Sequence, residues 1–399
     1  CRRAVGDETF RGDTLPEWVE PLDELVAWVC STDPDSRPLR FDDSEPEGPY
    51  DSGRPFGPLS AAVAEFALTE LLPDRVGESL PADALGSTAE WLREQFQTQF
   101  VRILYVELKT FVAVHDRERA FTDPEDVDEL PREYYEQFVD HLFDGGFADF
   151  CVEYPVFGRL VTTQLRQWQQ HVTEVADRLD DDRSVLREQF TDGDTLGAVT
   201  ELEPLAEDTH RDGRAITRVA FESGVTVVYK PRSVAPGATF YDVLDGLNDV
   251  LPVPEFRIPT YVERPEYGWM EWIDHEPCPD EAAVERYYER AGGLVCLCYL
   301  LEFFDCQYEN LIAAGEHPLL VDAETVCHPF VDRSRLPKHV GPDAPQRTTV
   351  LLTNLLPFRA DDVHGEEPAD LSVALAGFAV DDEPKSVSGM TVPRVEAAN

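Results

Sequence analysis

Two carboxylates and an amide lie around a short apolar hairpin late in the sequence. Asp305 is followed by Asn310 five residues later and by Asp322 twelve residues after that. Mg²⁺ prefers oxygen ligands, and kinases place a hydroxyl-orienting Asp, a metal-binding Asn and a metal-binding Asp in this order. The spacing predicts a phosphoryl-transfer site in which Asp305 orients a substrate hydroxyl, while Asn310 and Asp322 bind Mg²⁺.

A lysine upstream and one further carboxylate fit the same site. Lys230 follows a predicted strand and precedes Pro231, which ends strand pairing, so its ammonium can point at ATP phosphates. The chain has four Lys among its 34 basic residues, and the use of Lys here indicates a need for a compact point charge. Glu324 shares the face of Asp322 in an extended segment and is predicted as a further metal or positioning carboxylate.

The segment from Asp208 to Arg214 forms a second candidate cluster. His210 lies two residues after Asp208, and a His with a nearby carboxylate is a candidate acid–base pair. Gly213 in the same loop suits the approach of a phosphate. A solvated turn is the alternative here, just as purely structural roles are the alternative for the first cluster. The joint spacing of that first cluster with Lys230 favours chemistry.

The charge of the chain indicates the conditions in which it works. It has 79 acidic and 34 basic residues, a net charge of −45, and the acidic residues are spread along the whole sequence. High salt screens the self-repulsion of such a surface, so the composition indicates a halophilic protein. No basic stripe is available to neutralise phosphates, which argues against direct nucleic-acid binding.

Cysteine usage and hydropathy predict a cytoplasmic protein. The eight Cys form no CxxC pair and no Cys/His zinc spacing, and Cys296 and Cys298 are predicted as buried free thiols, which fits a reducing compartment. The sequence shows no signal peptide and no stretch near the ~20 apolar residues of a membrane span. Because the first residue is not Met, we expect the chain to be a fragment.

Helical periodicity dominates the first half of the chain. Residues 1–57 are predicted as an irregular segment with one helix at Trp18–Val29, and residues 58–195 as an α-helical domain. A helix break is predicted at Glu153-Tyr154-Pro155. The helices of this domain are predicted at 59–71, 88–115, 133–142, 158–178 and 184–190.

Alternating apolar residues begin near residue 196. A β-hairpin is predicted around Glu222-Ser223-Gly224, and a later hairpin turns at Gly315-Glu316. The order of strands, helices, catalytic loop and hairpin is that of a two-lobed kinase, which predicts a kinase-like core over residues 196–330. The predicted strands are 256–258, 260–263, 268–273, 311–313 and 319–321, and the predicted helices are 240–251 and a buried one at 281–304. Residues 331–399 are loop-rich, with one apolar run over 348–356.

Several strings in a fixed order identify a family. From about residue 56 to residue 360 the sequence resembles the dehydratase domain of class II (LanM-type) lanthipeptide synthetases. The strings that carry the resemblance are Glu153-Tyr154-Pro155-Val156, Asp208-x-His210-x-x-Gly213-Arg214, Tyr229-Lys230-Pro231-Arg232-Ser233, Tyr267-Gly268-Trp269, Asp305–Asn310, Val321-Asp322-x-Glu324-Thr325 and Leu355-Leu356-Pro357.

The resemblance implies a fold and a two-step reaction. The fold is α+β, with an N-terminal α-helical domain, a lipid-kinase-like two-lobed α/β catalytic core and an incomplete C-terminal part of the dehydratase over 331–399. The reaction is phosphorylation of Ser and Thr in a ribosomal precursor peptide with ATP and Mg²⁺, followed by elimination of phosphate to give dehydroamino acids. The implied roles are catalysis for Asp305, cofactor binding for Lys230 and Arg232, metal binding for Asn310, Asp322 and Glu324, and elimination for Asp208 and His210.

The chain departs from the family pattern at three points. Gln307 stands where the family has His, and Gln can hydrogen-bond a phosphate but cannot carry a proton, so we expect this catalytic candidate to weaken or alter phosphorylation. The further Arg and Thr of the elimination step are not recognisable, and the zinc-dependent cyclase is absent. A truncated synthetase, a split enzyme or a degenerate relative is therefore predicted, with a separate or C-terminal cyclase as a candidate partner. The alternatives are a kinase-like phosphotransferase without elimination and a catalytically weak peptide-binding scaffold.

Overall fold

A computed structural model describes the chain over residues 15–32, 56–117, 133–191, 193–205, 209, 211–303, 305–327 and 350–356. The chain forms two compact units, and the described residues divide between them after Val225. The predicted domain boundaries at 57/58, 195/196 and 330/331 stay predictions. Asp208 and His210 lie outside the described residues.

Helices make up most of the first unit. Its described helices are α1 (Val19–Ser31), α2 (Gly57–Phe66), α3 (Asp74–Ser79), α4 (Ala82–His115), α5 (Glu133–His141), α6 (Phe147–Glu153) and α7 (Pro155–Phe190). A π-helical turn follows α2 over Ala67–Leu71, and another follows α5 over Leu142–Gly146. The helical periodicity of this half is thereby confirmed.

The long helices α4 and α7 pack through buried aromatic residues. The rings of Phe96 and Phe100 on α4 lie 6.3 and 4.8 Å from that of Phe157 on α7, measured between centroids. The indole N–H of Trp168 donates to the carbonyl of Thr88 at 2.9 Å, deep between the same helices. Each such side chain stabilises the fold by roughly 1.5–3 kcal/mol when fully buried, so this stripe anchors α7.

Helix α7 corrects the prediction of two separate helices at 158–178 and 184–190. It runs unbroken because Leu179, Asp182 and Leu186 continue its buried stripe through the acidic stretch. The predicted break before it is confirmed, since α6 ends at Glu153. Pro155 occupies the first turn of α7, where a missing N–H costs no helical hydrogen bond.

Two strands complete the first unit. Strand β1 (Val199–Pro204) was not predicted, and it pairs antiparallel with β2 (Thr217–Phe221) in a register that places Leu202 opposite Val219. Apolar side chains of both strands are buried on one face, as expected for a half-covered antiparallel pair. The predicted turn after β2 is confirmed by Gly224, whose N–H donates to the Phe221 carbonyl at 2.9 Å.

The second unit alternates strands and helices. Its described elements are β3 (Thr226–Lys230), α8 (Ala235–Asn248), β4 (Tyr261–Glu263), β5 (Gly268–Glu271), α9 (Glu281–Leu300), β6 (Leu311–Ala314) and β7 (His317–Leu320). Strand β5 pairs antiparallel with both β3 and β4, and β6 pairs with β7 in a separate hairpin. Gly268 begins β5 because a Cβ there would clash with the side chain of Val234.

Three predicted elements of this unit are corrected. The segment 256–258 is no strand, because both backbone polar groups of Phe256 bond the Asn248 side chain, at 2.7 and 3.1 Å. The helix predicted over 240–251 lies earlier, over Ala235–Asn248, with Pro236 in its first turn. The helix predicted over 281–304 ends at Leu300, and Glu302 turns the chain with a φ of 51°.

The described residues thus form a mixed, mostly helical α+β chain. The prediction for the two thiols of α9 is half right, since Cys298 is buried and Cys296 is exposed. Across the described ranges, which leave gaps after residues 32, 117 and 327, each helix is too short or too polar to cross a membrane.

Candidate functional site

Strand β3 carries Lys230 into the interior of the second unit. The residue is 8% exposed, and its ammonium donates to the carbonyl of Val321. Burial lowers the pKa of Lys230 to about 8, partly offset by the nearby carboxylate of Asp322. The strand therefore delivers a compact cation to the end of the β6–β7 hairpin.

The β6–β7 hairpin holds Asn310 and Asp322 at its open end. Its register pairs Leu311 with Leu320, and the Val321 N–H then donates to the Asn310 carbonyl at 2.9 Å. Asp322 follows directly. An amide and a carboxylate separated by twelve positions in sequence are thus brought to the same end of one hairpin.

Asp305 faces Asn310 across the loop between α9 and β6. The amide nitrogen of Asn310 donates to the Asp305 backbone carbonyl at 2.8 Å and lies 3.5 Å from its carboxylate. Asp305 has a φ of 71°, in the left-handed region that non-glycine residues seldom occupy. Burial, followed by the charges of Asp322 and Glu309, raises the pKa of Asp305 above its usual value.

Arg232 links the two predicted metal carboxylates. Its guanidinium lies 2.5 Å from the Asp322 carboxylate and also pairs with Glu324. Asp322 and Glu324 therefore contact the same guanidinium, although Glu324 lies in a turn and not in the extended segment that the sequence predicted. The positive charge of the guanidinium offsets part of the negative charge of these two carboxylates.

Gln307 enters the site through its backbone. It precedes the short 3₁₀ turn Tyr308–Asn310, and its carbonyl accepts a hydrogen bond from the Asn310 N–H at 2.9 Å. The residue is half-buried. The turn that orients Asn310 is therefore made by backbone atoms and does not depend on the side chain at position 307.

The loop that follows the predicted elimination residues contacts helix α7. Asp212 and Gly213 have φ values of 59° and 75°, and a Cβ on Gly213 would lie 2.5 Å from the Gln167 side chain. Arg214 makes two hydrogen bonds to Glu174 of α7, at 2.8 and 2.7 Å. This loop is therefore fixed against the helical frame of the first unit.

Two residues that the sequence reasoning missed hold the hairpin in place. Arg290 of α9 is 4% exposed and donates to the carbonyls of Glu255 and Glu316 at 2.7 and 2.9 Å. The hydroxyl of Tyr241 donates to the Leu320 carbonyl and accepts from its N–H, at 3.0 and 2.9 Å. The position of Arg290 directly before the apolar run of α9 was the available signal for the first residue, and Tyr241 gave none.

The donor set suits a hard cation. Within the described ranges, no three His, Cys, Asp or Glu side chains gather closely enough to form a metal site by themselves. The predicted set of Asn310, Asp322 and Glu324 consists of two carboxylates and an amide. It therefore does not depend on a cluster of three His, Cys, Asp or Glu side chains. The amide oxygen of Asn310 is the atom that would bind a metal, because its nitrogen contacts Asp305.

Comparison with known proteins places the chain in a family. A family model described as "Domain of unknown function (DUF4135)" matches residues 154–399, which is more than half of the chain. The chain belongs to this family. All nine predicted site residues of this DUF4135 chain lie within the matched region, whereas α1 to α6 lie before it.

A curated relative adds a biosynthetic context. Over 209 residues the DUF4135 chain is 23% identical to "Lacticin 481/lactococcin biosynthesis protein LcnDR2" of Lactococcus lactis subsp. lactis. The match spans 49% of the chain and 22% of that relative. The chain therefore corresponds to about a fifth of the length of the curated relative it matches.

Proposed function

We propose that this chain is the dehydratase part of a lanthipeptide synthetase, which phosphorylates Ser and Thr of a precursor peptide with Mg-ATP and then eliminates phosphate. The observation that carries the proposal is the convergence of Lys230, Arg232, Asp305, Asn310 and Asp322 in the second unit. The biosynthetic name of the relative supports the peptide substrate. A lipid-kinase-like two-lobed core is part of this proposal.

In the phosphorylation step each side chain has a distinct task. Asp305 orients the substrate hydroxyl and accepts its proton, and its raised pKa brings the carboxylate closer to the range of a useful base. Lys230 neutralises ATP phosphates from a buried position, where its charge is weakly screened. Bound Mg²⁺ would supply charge neutralisation at the transferred phosphate.

The like-charged surroundings of Asp305 favour a cation at this place. Burial raises the pKa of Asp305, and the charges of Asp322 and Glu309 raise it further, which means that each of these two carboxylates disfavours the charged form of Asp305. Asn310 and Asp322 would hold the metal, with Glu324 assisting. Arg232 now pairs with Asp322 and Glu324, so we expect its guanidinium to turn to an ATP phosphate when the metal binds.

Elimination completes the proposed reaction. A base removes the α-proton of the phosphorylated residue, the electron pair of that bond forms the Cα–Cβ double bond, and the Cβ–O bond breaks to release phosphate. We propose Asp208 and His210 for this step. The Gln307 side chain can hydrogen-bond the phosphate, but unlike His it cannot carry a proton to it.

The proposal extends to the setting of the enzyme. The charge of −45 suits a protein that works in high salt, and a reducing cytoplasm suits its free thiols. A cyclase, as a separate protein or as a further part of a longer synthetase, would act on the dehydrated peptide.

Mass spectrometry of a peptide substrate tests the proposal. The substrate is a synthetic Ser/Thr/Cys-rich precursor peptide, incubated with Mg-ATP in roughly 1 M KCl, where the charges of the acidic surface are screened. We expect a product that first gains phosphate and then has lost water relative to the starting peptide. Asp322→Asn should slow phosphate gain by about 10²-fold or more.

A matched variant controls for loss of charge. Asp245→Asn removes an exposed carboxylate from helix α8 of the same unit, and it should leave the rate unchanged. Equal rates for the wild type and Asp322→Asn would refute the assignment. Phosphate that is gained and never eliminated would support the rival phosphotransferase. If Mg-ATP does not raise the melting temperature, the peptide-binding scaffold is supported. If Gln307→His restores turnover, the chain is a decayed enzyme.

A further inference from the structure

The first unit carries a groove that the proposed chemistry does not use. The groove has a volume of about 500 Å³ and lies between the start of α1, the π-turn after α2 and one face of α7. Its floor is apolar: Phe66 and Leu165 are each 2% exposed, and Trp18 and Leu71 are half-buried. A site of this size accommodates a few side chains of a ligand.

Two arginines on α7 line this groove. Arg159 and Arg166 are exposed, and neither side chain makes a hydrogen bond or an ion pair with any residue of the described ranges. In contrast, Arg178 on the same helix and Arg214 beside it both pair with Glu174. The chain has 79 acidic and 34 basic residues, yet no carboxylate of the described ranges pairs with either of these two arginines at the groove.

Exposed aliphatic side chains lie near Arg159 at the start of α7. Val156 is 59% exposed and Leu160 is 43% exposed. Val156 is three residues from Arg159 and four from Leu160, so these side chains are neighbours at the start of α7, beside the groove and not in its lining. Between the two arginines, α7 lines the groove with Thr162, Thr163 and buried Leu165.

The spacing of the two cations limits what can bind. Arg159 and Arg166 are seven residues apart on one helix, so their Cα atoms lie ~10 Å apart along its axis. This distance is too long for one carboxylate and matches two acidic side chains at positions i and i+7 of a helical ligand. The apolar floor requires large hydrophobic side chains between those two acids.

We propose that this groove binds an acidic amphipathic peptide segment, with one acidic side chain at Arg159, another at Arg166 and apolar side chains against Trp18 and Leu165. Glu17 is the one carboxylate among the described residues that line the groove, so the local charge favours an anionic ligand. The negative charge of the whole chain opposes such a ligand at long range. Salt near 1 M shortens the screening length to ~3 Å and removes that repulsion while leaving direct contacts.

Fluorescence anisotropy with a designed probe tests the proposal. The probe is a fluorescein-labelled helical peptide of about four turns, with Glu at positions i and i+7 and Leu at i+3 and i+4. We expect it to bind the full chain in 1 M KCl without nucleotide, and a Glu→Gln version to bind more weakly. Arg159→Gln with Arg166→Gln should weaken binding about 3- to 10-fold.

Two further variants separate specific contacts in the groove from general charge and general apolar surface. Leu160→Ser should leave binding unchanged, because Leu160 is exposed on α7 but does not line the groove. The double change Arg102→Gln with Arg187→Gln removes two exposed arginines elsewhere on α4 and α7, and it should leave binding unchanged. All replaced side chains are exposed, and circular dichroism checks that each variant stays folded.

Each other outcome overturns the proposal. Absence of probe binding, or equal weakening by both double changes, would show that the groove has no specific role in binding acids. Self-association of the chain that disappears in the Arg159/Arg166 variant, without probe binding, would make a second copy the occupant. Because no nucleotide is present, these results are independent of whether the chain transfers phosphate.

Discussion

Arg290 is the buried end of an ion cluster that fastens the β6–β7 hairpin to helix α9. Its guanidinium makes three hydrogen bonds, at 2.7 Å to the Glu255 carbonyl, 2.9 Å to the Glu316 carbonyl and 3.0 Å to the Glu316 carboxylate. Arg286, one turn earlier, holds the same carboxylate from a side chain that is 41% exposed, against 5% for Arg290. Arg286 and then Arg290 keep the pKa of Glu316 at about 2.

Replacing Arg290 by Met should destabilise the chain by ~3–5 kcal/mol. Met preserves much of the apolar stem, so the loss comes from breaking a buried charged contact and leaving two backbone carbonyls without their donor. Arg286→Met is the matched control, because it removes the same charge from the same partner at an exposed position, where ion pairs contribute little. The free energy of unfolding is measured by urea titration in 1 M KCl.

Hydrogen exchange locates the expected damage. The Gly315 N–H donates to the Glu276 carbonyl at 2.9 Å at the turn of the hairpin, and its exchange should accelerate in Arg290→Met before amides of helix α7 respond. Equal destabilisation by Arg286→Met and Arg290→Met would refute the reasoning, since burial would then not decide which guanidinium matters.

Three further outcomes test other contacts of the second unit. Burial lowers the pKa of Lys230 from 10.5 to about 8, so the unfolded chain binds this proton more tightly. Stability should therefore rise between pH 8 and 10.5, and urea midpoints of Lys230→Met should show a flatter profile. Tyr241→Phe should lose ~1–3 kcal/mol because the polar groups of buried Leu320 lose their partner, while exposed Tyr288→Phe should lose nothing in the same titration. Asp280→Ala removes the cap of α9, whose carboxylate accepts a backbone N–H at 2.8 Å; a loss of ~1 kcal/mol is expected by thermal melting, and an unchanged melting temperature would contradict it.

Local sequence patterns predicted the hairpin and its turn because they depend on near neighbours. Gly315 and the alternating apolar residues of β6 and β7 are sufficient for that element, and the hairpin alone brings Asn310 next to Val321. The corrections arise where distant contacts decide. Asn248 satisfies the backbone of Phe256 and so prevents a strand there. Periodicity carries no information about such a side-chain contact.

The same distinction applies to the candidate site. Residue types and spacing were enough to predict that Asp305, Asn310 and Asp322 lie close together, because one loop and one hairpin carry all three. The ion pairs of Arg232 with Asp322 and Glu324 could not be predicted, since they join segments about ninety residues apart. The burial of Arg290 depends in the same way on how α9 packs against the hairpin turn.

The left-handed backbone conformation of Asp305 lowers the stability of the fold. Gly adopts its φ of 71° without steric strain, whereas in other residues this conformation costs a free energy on the order of 1 kcal/mol. Selection for stability alone would therefore favour Gly at this position. The proposed role of Asp305 in phosphoryl transfer would account for a carboxylate at this strained position. In a lineage that had abandoned catalysis, we would expect position 305 to drift to glycine before the surrounding fold changed.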